Sequence, residues 1–161
     1  MIKNLFVILG NQLFDPEVLK AYGCEHVFMA EDHGLCTYEK HHKLKIYLFF
    51  CAMREYRDEL INAGIEVSYF RLEQRDKGVP YTSFLNNFLR KNEIKQVNFF
   101  EIEDRPFETD LIQFFKSTPM PPVTPTVVKK MGEMPLVPAT TGAMLMKGTY
   151  GLACLPIQRA T

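Results

Sequence analysis

Short all-apolar runs alternate along the chain with longer stretches in which apolar residues recur every three or four positions. The runs at 4–9, 25–30, 65–71 and 95–101 have the length and bounding turns of buried strands. The stretches at 15–21, 39–63, 80–92 and 107–116 have helical spacing. Strands that alternate with helices join through right-handed crossovers. The expected architecture is therefore α/β, an open parallel sheet of four to five strands with helices on both faces. Local chemistry agrees at two helix ends. Asp15-Pro16 supplies an N-cap and a first-turn proline, and Gly64 stands where a helix-ending glycine belongs.

The helix predicted over 39–63 carries two apolar stripes. Leu44, Tyr47, Leu48, Cys51, Ala52, Tyr56 and Leu60 form the one expected to face the sheet. Ile46, Phe49, Phe50 and Met53 form the other, which reads either as covered by neighbouring helices or as a docking face, self-association included. After Lys116 the pattern breaks. All 13 Phe lie before position 116, whereas 117–161 holds seven of the ten Pro, five of the eight Met and a single acidic residue, Glu133. The chain therefore divides into an α/β domain over 1–116 and an irregular Pro/Thr/Met-rich tail over 117–161. Val123 to Val128 suggests one more strand, which Pro121, Pro122 and Pro125 confine to an edge. The tail reads either as a natural variable segment or as the product of a reading-frame change near residue 117. The second reading is favoured, and it makes the chain a truncated form of a longer protein.

Composition narrows the function classes. At 47% hydrophobic and 24% charged the chain is ordinary for a globular domain. Lys+Arg and Asp+Glu are both 19, so the net attraction for phosphate backbones that autonomous nucleic-acid binding rests on is missing. No apolar run approaches the roughly 18 residues a membrane helix needs. The first strand is too short and too poorly flanked to be a signal peptide, so a cytoplasmic protein is expected. Cys24, Cys36, Cys51 and Cys154 form no CxxC pair and read as free, mostly buried thiols rather than metal ligands.

In open parallel sheets ligands sit beyond the carboxyl ends of the strands, which here directs attention to the loops at 10–13, 30–38, 72–80 and 101–107. Gly10 permits close approach of the backbone to a ring or phosphate. Asn11 and Gln12 each offer a carbonyl and an amide suited to the edge of a heterocycle, and Tyr38 offers a ring to stack on or a hydroxyl to donate. Glu31 lies at a strand end where a ligand would meet it. Glu31-Asp32-His33 and the cluster Glu101, Glu103, Asp104 and Arg105 otherwise read as solvated loop charges and loop ion pairs. Adjacent helical residues point about 100° apart, so His41 and His42 are poor partners for one metal ion and a structural role is expected of them. GxGxxG, phosphate-loop and GxSxG motifs are all missing, and no residue is assigned a catalytic role.

Leu9-Gly10-Asn11-Gln12-Leu13, together with the 29–60 stretch that contains Tyr38 and His41-His42-Lys43, resembles the N-terminal antenna-type domain of the photolyase-related proteins. These are the bacterial branch of the cryptochrome/photolyase family, and the resemblance covers residues 3 to 116. It implies a Rossmann-like sheet and a small heterocyclic chromophore, such as a ribityllumazine, held near Gly10, Asn11, Gln12, Glu31 and Tyr38. In full-length relatives FAD and an iron-sulfur cluster belong to a C-terminal region without a counterpart here. Light-driven DNA repair or blue-light sensing is thus implied for those relatives, and no catalysis for this chain alone. Two departures bear on the chromophore. Leu35 stands where some members place a carboxylate, and Asn11 where several place an aspartate. A small nucleotide-binding α/β enzyme and a non-functional fragment or interaction module are the competing readings.

Overall fold

A computed structural model describes residue 2, residues 4–76, 78–94 and 96–117, and the backbone of 124–128. The elements run β1 (Leu5–Val7), α1 (Pro16–Ala21), β2 (His26–Ala30), α2 (His33–Thr37), α3 (Lys43–Asn62), β3 (Glu66–Phe70), a 3-10 turn (Leu72–Gln74), α4 (Tyr81–Lys91), β4 (Gln96–Phe100), α5 (Arg105–Ser117) and β5 (Thr124–Val128). The strands form one parallel sheet in the order β3-β2-β1-β4-β5. The fold is α/β, as the alternating pattern predicts. Its fifth strand lies beyond residue 116, so the sheet draws on the segment that the sequence reading gives to the tail. Pro125 sits on this edge strand, where a missing N–H is tolerated.

The central strand shows why the sheet is covered on both sides. Leu5, Val7 and Leu9 point into one core with Phe28, Leu85, Leu89 and Leu111, beneath α4 and α5. Phe6 and Ile8 point into the other with Leu19, Met53, Tyr56 and Leu60, beneath α1 and α3. Period-two alternation of a strand apolar at every position requires two such cores. The crossovers through α1 and α3 lie on one face and those through α4 and α5 on the other. Connections therefore diverge between β1 and β4, which is where a parallel sheet opens a crevice.

The structure corrects two expectations about the long helix. The helix predicted over 39–63 begins at Lys43, and a separate short helix, α2, precedes it. His42 is extended and its Nδ1 accepts from the Leu44 amide at 3.2 Å, so the helix starts there. Asp32 starts α2 in the same way, accepting from the Leu35 amide at 2.7 Å.

The second correction concerns the stripes. Leu44 and Tyr47 are 65% and 69% exposed, and Cys51 is also exposed, whereas Met53, Tyr56 and Leu60 are buried. The stripe expected to face the sheet joined Leu60, Tyr56, Ala52, Leu48 and Leu44 by steps of four. Each such step turns the helix about 40° past a full circle, so four of them carry the line about 160° round to solvent. The inward line mixes steps of three and four and runs from the buried Leu60, Tyr56 and Met53 to the half-buried Phe50, Phe49 and Ile46.

Candidate functional site at the carboxyl edge of the sheet

A cleft of about 900 Å³ opens at the carboxyl ends of β1, β2 and β4, between the α2–α3 segment and the start of α5. Its apolar surface comes from Leu9, Leu35, Ile46, Phe49, Phe50, Met53, Ile102 and Phe107. The upper part of the second α3 stripe thus turns inward and lines the cleft. Polar groups stand around it: Asn11, Tyr38, Lys40, His41, His42 and Lys45 on one side, Glu103, Asp104 and Arg105 on the other. The Tyr38 hydroxyl, at the C-terminal end of α2, donates to Asp104 at the start of α5 and so bridges the two walls. Asp104 also accepts from the Phe107 amide at 3.1 Å, which holds it in place.

Of the five residues singled out in the sequence, Gly10, Asn11 and Tyr38 line the cleft. Gly10 lies against α3, where a Cβ would come within 2.9 Å of Met53 Sδ, so the chain passes this point only as glycine without displacing that side chain. Gln12 and Glu31 lie behind the lining, and both are buried. Gln12 accepts from the Leu9 amide at 3.3 Å and donates its Nε2 to the Glu101 carbonyl at 3.1 Å. It thereby ties the β1 loop to the β4 loop across the switch point. Glu31 receives Nε and Nη2 of Arg54 at 2.7 and 3.0 Å, the Tyr69 hydroxyl at 2.7 Å and the Leu72 amide at 3.0 Å. Burial pushes its carboxyl up, but the bonds from Arg54, Tyr69 and Leu72 and the Arg54 charge outweigh that and hold it below the ordinary glutamate range.

This geometry meets an independent finding. Residues 6–129 match the family described as deoxyribodipyrimidine photo-lyase-related protein. The chain belongs to that family. The match continues through β5, past residue 116 where the sequence resemblance ends. A (6-4) photolyase of Agrobacterium fabrum (strain C58 / ATCC 33970) is 32% identical over 85 residues, which cover 50% of this chain and 17% of that protein. The chain thus spans less than a fifth of the length of this relative.

In this photolyase-related chain several residues that shape the cleft escape sequence reading. Asp32, taken as a solvated loop charge, is 7% exposed and paired with Arg75, itself 9% exposed. Arg75 also donates to the Glu31 carbonyl at 2.8 Å and lies 4.6 Å over the Phe84 ring. The signal for this pair is weak, since 43 residues separate the partners and neither belongs to a motif. Tyr81, the first residue of α4, lines the cleft at 4% exposure with a hydroxyl that is buried and unpartnered. Burial pushes that hydroxyl well above the usual tyrosine range, which makes it a hydrogen-bond donor rather than a base. Cys36 also lines the cleft, with its thiol pushed up to about 11 by burial and then by the charges of Asp32 and Glu31. Such a thiol stays protonated near neutrality and is no nucleophile. Among the described residues no helix is long and apolar enough to cross a membrane.

Proposed function

We propose that this chain is the antenna-type portion of a photolyase-related protein, and that its cleft holds a planar heterocyclic chromophore of the ribityllumazine kind. The observation that carries the reading is the cleft itself: about 900 Å³, apolar inside and polar at the rim, at the strand ends where parallel sheets bind their ligands. The residues suit such a group. Phe49 and Phe50 supply apolar surface for a ring, and Asn11 supplies a carbonyl acceptor and an amide donor. Gly10 keeps the space against Met53 free of a side chain. Gln12 and Glu31 hold the walls in register rather than touching the ligand.

A chromophore of this class, when bound, absorbs blue or near-ultraviolet light and passes on the excitation. This portion carries no catalysis of its own and acts in the cytoplasm without binding nucleic acid. Photolyase activity of the kind named for the Agrobacterium relative belongs to a longer protein, of which this chain matches 17%. Ribityllumazine titrated into the purified protein tests the reading. Saturable binding with a shifted visible band, weakened at least tenfold by Gly10→Val, supports it. No binding at concentrations far above those of other chromophore proteins, with the protein folded by circular dichroism, overturns it.

A further inference from the structure

The outer side of α3 is apolar where solvent meets it. Nine residues carry a helix through two and a half turns, so Leu44, Tyr47 and Cys51 stand opposite the buried Met53, Tyr56 and Leu60. Leu44 and Tyr47 are 65% and 69% exposed, Leu48 beside them is exposed as well, and Cys51 is an exposed free thiol. Among the described residues seven large hydrophobics are exposed, and three of them fall within this one stretch of five residues. The cleft does not account for them. From this helix it takes Lys45, Ile46, Phe49, Phe50 and Met53, and none of the outer four. Exposed apolar residues scattered singly need no explanation, whereas a contiguous patch marks a contact surface.

Charge along the helix says what fits this patch. Lys43 precedes it and Glu55 and Asp58 follow it, and all three are exposed. Neither Lys43 nor Glu55 forms an ion pair among the described residues, and Asp58 meets its neighbour Arg57 at 2.7 Å. Arg54 and Arg57 turn towards the sheet, the first to Glu31 and the second over the Tyr69 ring. The outer side of α3 therefore runs basic, apolar, acidic. That order is complementary to its own reverse. A second copy laid antiparallel sets apolar side chains against apolar side chains and brings Lys43 of each copy to the acidic end of the other, so a two-fold contact forms every such pairing twice.

We propose that the outer side of α3 is a contact surface between two copies of this chain, packed antiparallel across Leu44, Tyr47, Leu48 and Cys51. The contact is independent of what the cleft holds, since the two lie on different sides of the helix. Four side chains and their charged flanks are small beside the roughly 800 Å² per partner of a standard interface, so the dimer is weak, with a dissociation constant on the order of 10 µM.

Sedimentation velocity of the full chain from about 1 to about 200 µM, a range that brackets this constant, tests it. The expected result is a rise from the monomer towards the dimer coefficient, lost in Tyr47→Ser/Leu48→Ser. The substituted side chains are exposed, so the variants fold like the parent, which circular dichroism and thermal melting check. Two charge variants read the orientation. Lys43→Glu alone and Glu55→Lys/Asp58→Lys alone should each self-associate roughly fivefold more weakly than the parent, because like charges then face each other at both ends. An equimolar mixture of the two should dimerise like the parent, because opposite charges meet again at both ends. A monomer throughout the range overturns the proposal and leaves the surface to another part of a longer protein. A dimer that Tyr47→Ser/Leu48→Ser does not weaken, or charge variants that stay as weak mixed as alone, overturns it as well.

Discussion

At the scale of single residues, three helices end in the same way, and one of them does so at a cost. After α1, α3 and α4 the chain turns through a residue with positive φ: Gly23 at 69°, Gly64 at 81° and Glu93 at 53°. The next amide reaches back across the turn each time, Cys24 to the Leu19 carbonyl, Ile65 to Leu60 and Ile94 to Leu89, all at 3.0 Å. A buried apolar pair accompanies each bond, which is the pattern of a Schellman close. Two of these ends are marked by glycine and readable in the sequence. The third is hidden because a side chain occupies the left-handed position. Glu93→Gly should raise the unfolding free energy by about 1 kcal/mol, and Gly64→Ala should lower it by about as much, measured by urea denaturation. Gly10 obeys a different constraint, since its restriction is space rather than φ. Gly10→Ala should fold with a melting temperature near that of the parent because Met53 is flexible, while Gly10→Val, which adds more bulk beside Met53 and Phe49, should weaken the proposed ribityllumazine binding at least tenfold.

At the scale of elements, α3 shows both what periodicity conveys and where it misleads. That a long helix packs on the sheet and ends before Gly64 is legible from spacing and the glycine, whereas its start at Lys43, after the His42 cap, is not. Which stripe faces inward is not, because the helix is apolar on two sides and the upper half of its buried line borders a cleft rather than a packed neighbour. Leu60→Ala should cost about 3 kcal/mol, whereas Tyr47→Ala should change stability by less than about 0.5 kcal/mol, a contrast that chemical denaturation resolves.

The same helix is locked to the sheet by charge. Glu31 at the end of β2 bonds Arg54 of α3, Tyr69 of β3 and the Leu72 amide, so three elements converge on one carboxylate. Its folded pKa is depressed, so the stability it contributes is present above the unfolded value of about 4.3 and is lost as pH falls through the lower folded value. Glu31→Gln should therefore destabilise by about 3 kcal/mol near neutral pH, and the gap to the parent should close on acidification. Urea midpoints of both proteins at about pH 7 and about pH 3 measure this, with a smaller gap at the lower pH the expected result. The sequence shows a carboxylate at a strand end. It does not show the partners, which lie 23 to 41 residues away.

At the scale of the molecule, the question is where the folded unit ends. Composition changes at Lys116, and that change alone suggests a boundary there. The sheet does not stop with it, because β5 pairs with β4 over the full length from Gln96 and Thr124 to Phe100 and Val128. The family match likewise runs to residue 129. The reason the boundary is hard to read is physical: an edge strand buries one side of its backbone ladder and little side chain, so it can be rich in Pro and Thr and lack the apolar signature of the central strands. Without β5, the strand at the edge would be β4, whose Val97, Asn98, Phe99 and Phe100 are buried, a flat apolar edge of the kind that recruits other chains. A chain ended after Lys129 should keep the sheet and behave in solution like the full chain, whereas one ended after Ser117 should self-associate and melt at lower temperature. Sedimentation velocity and thermal denaturation of the two truncations decide between them. Indistinguishable behaviour would mean that β5 adds nothing to the sheet, and that the folded unit closes where the composition changes.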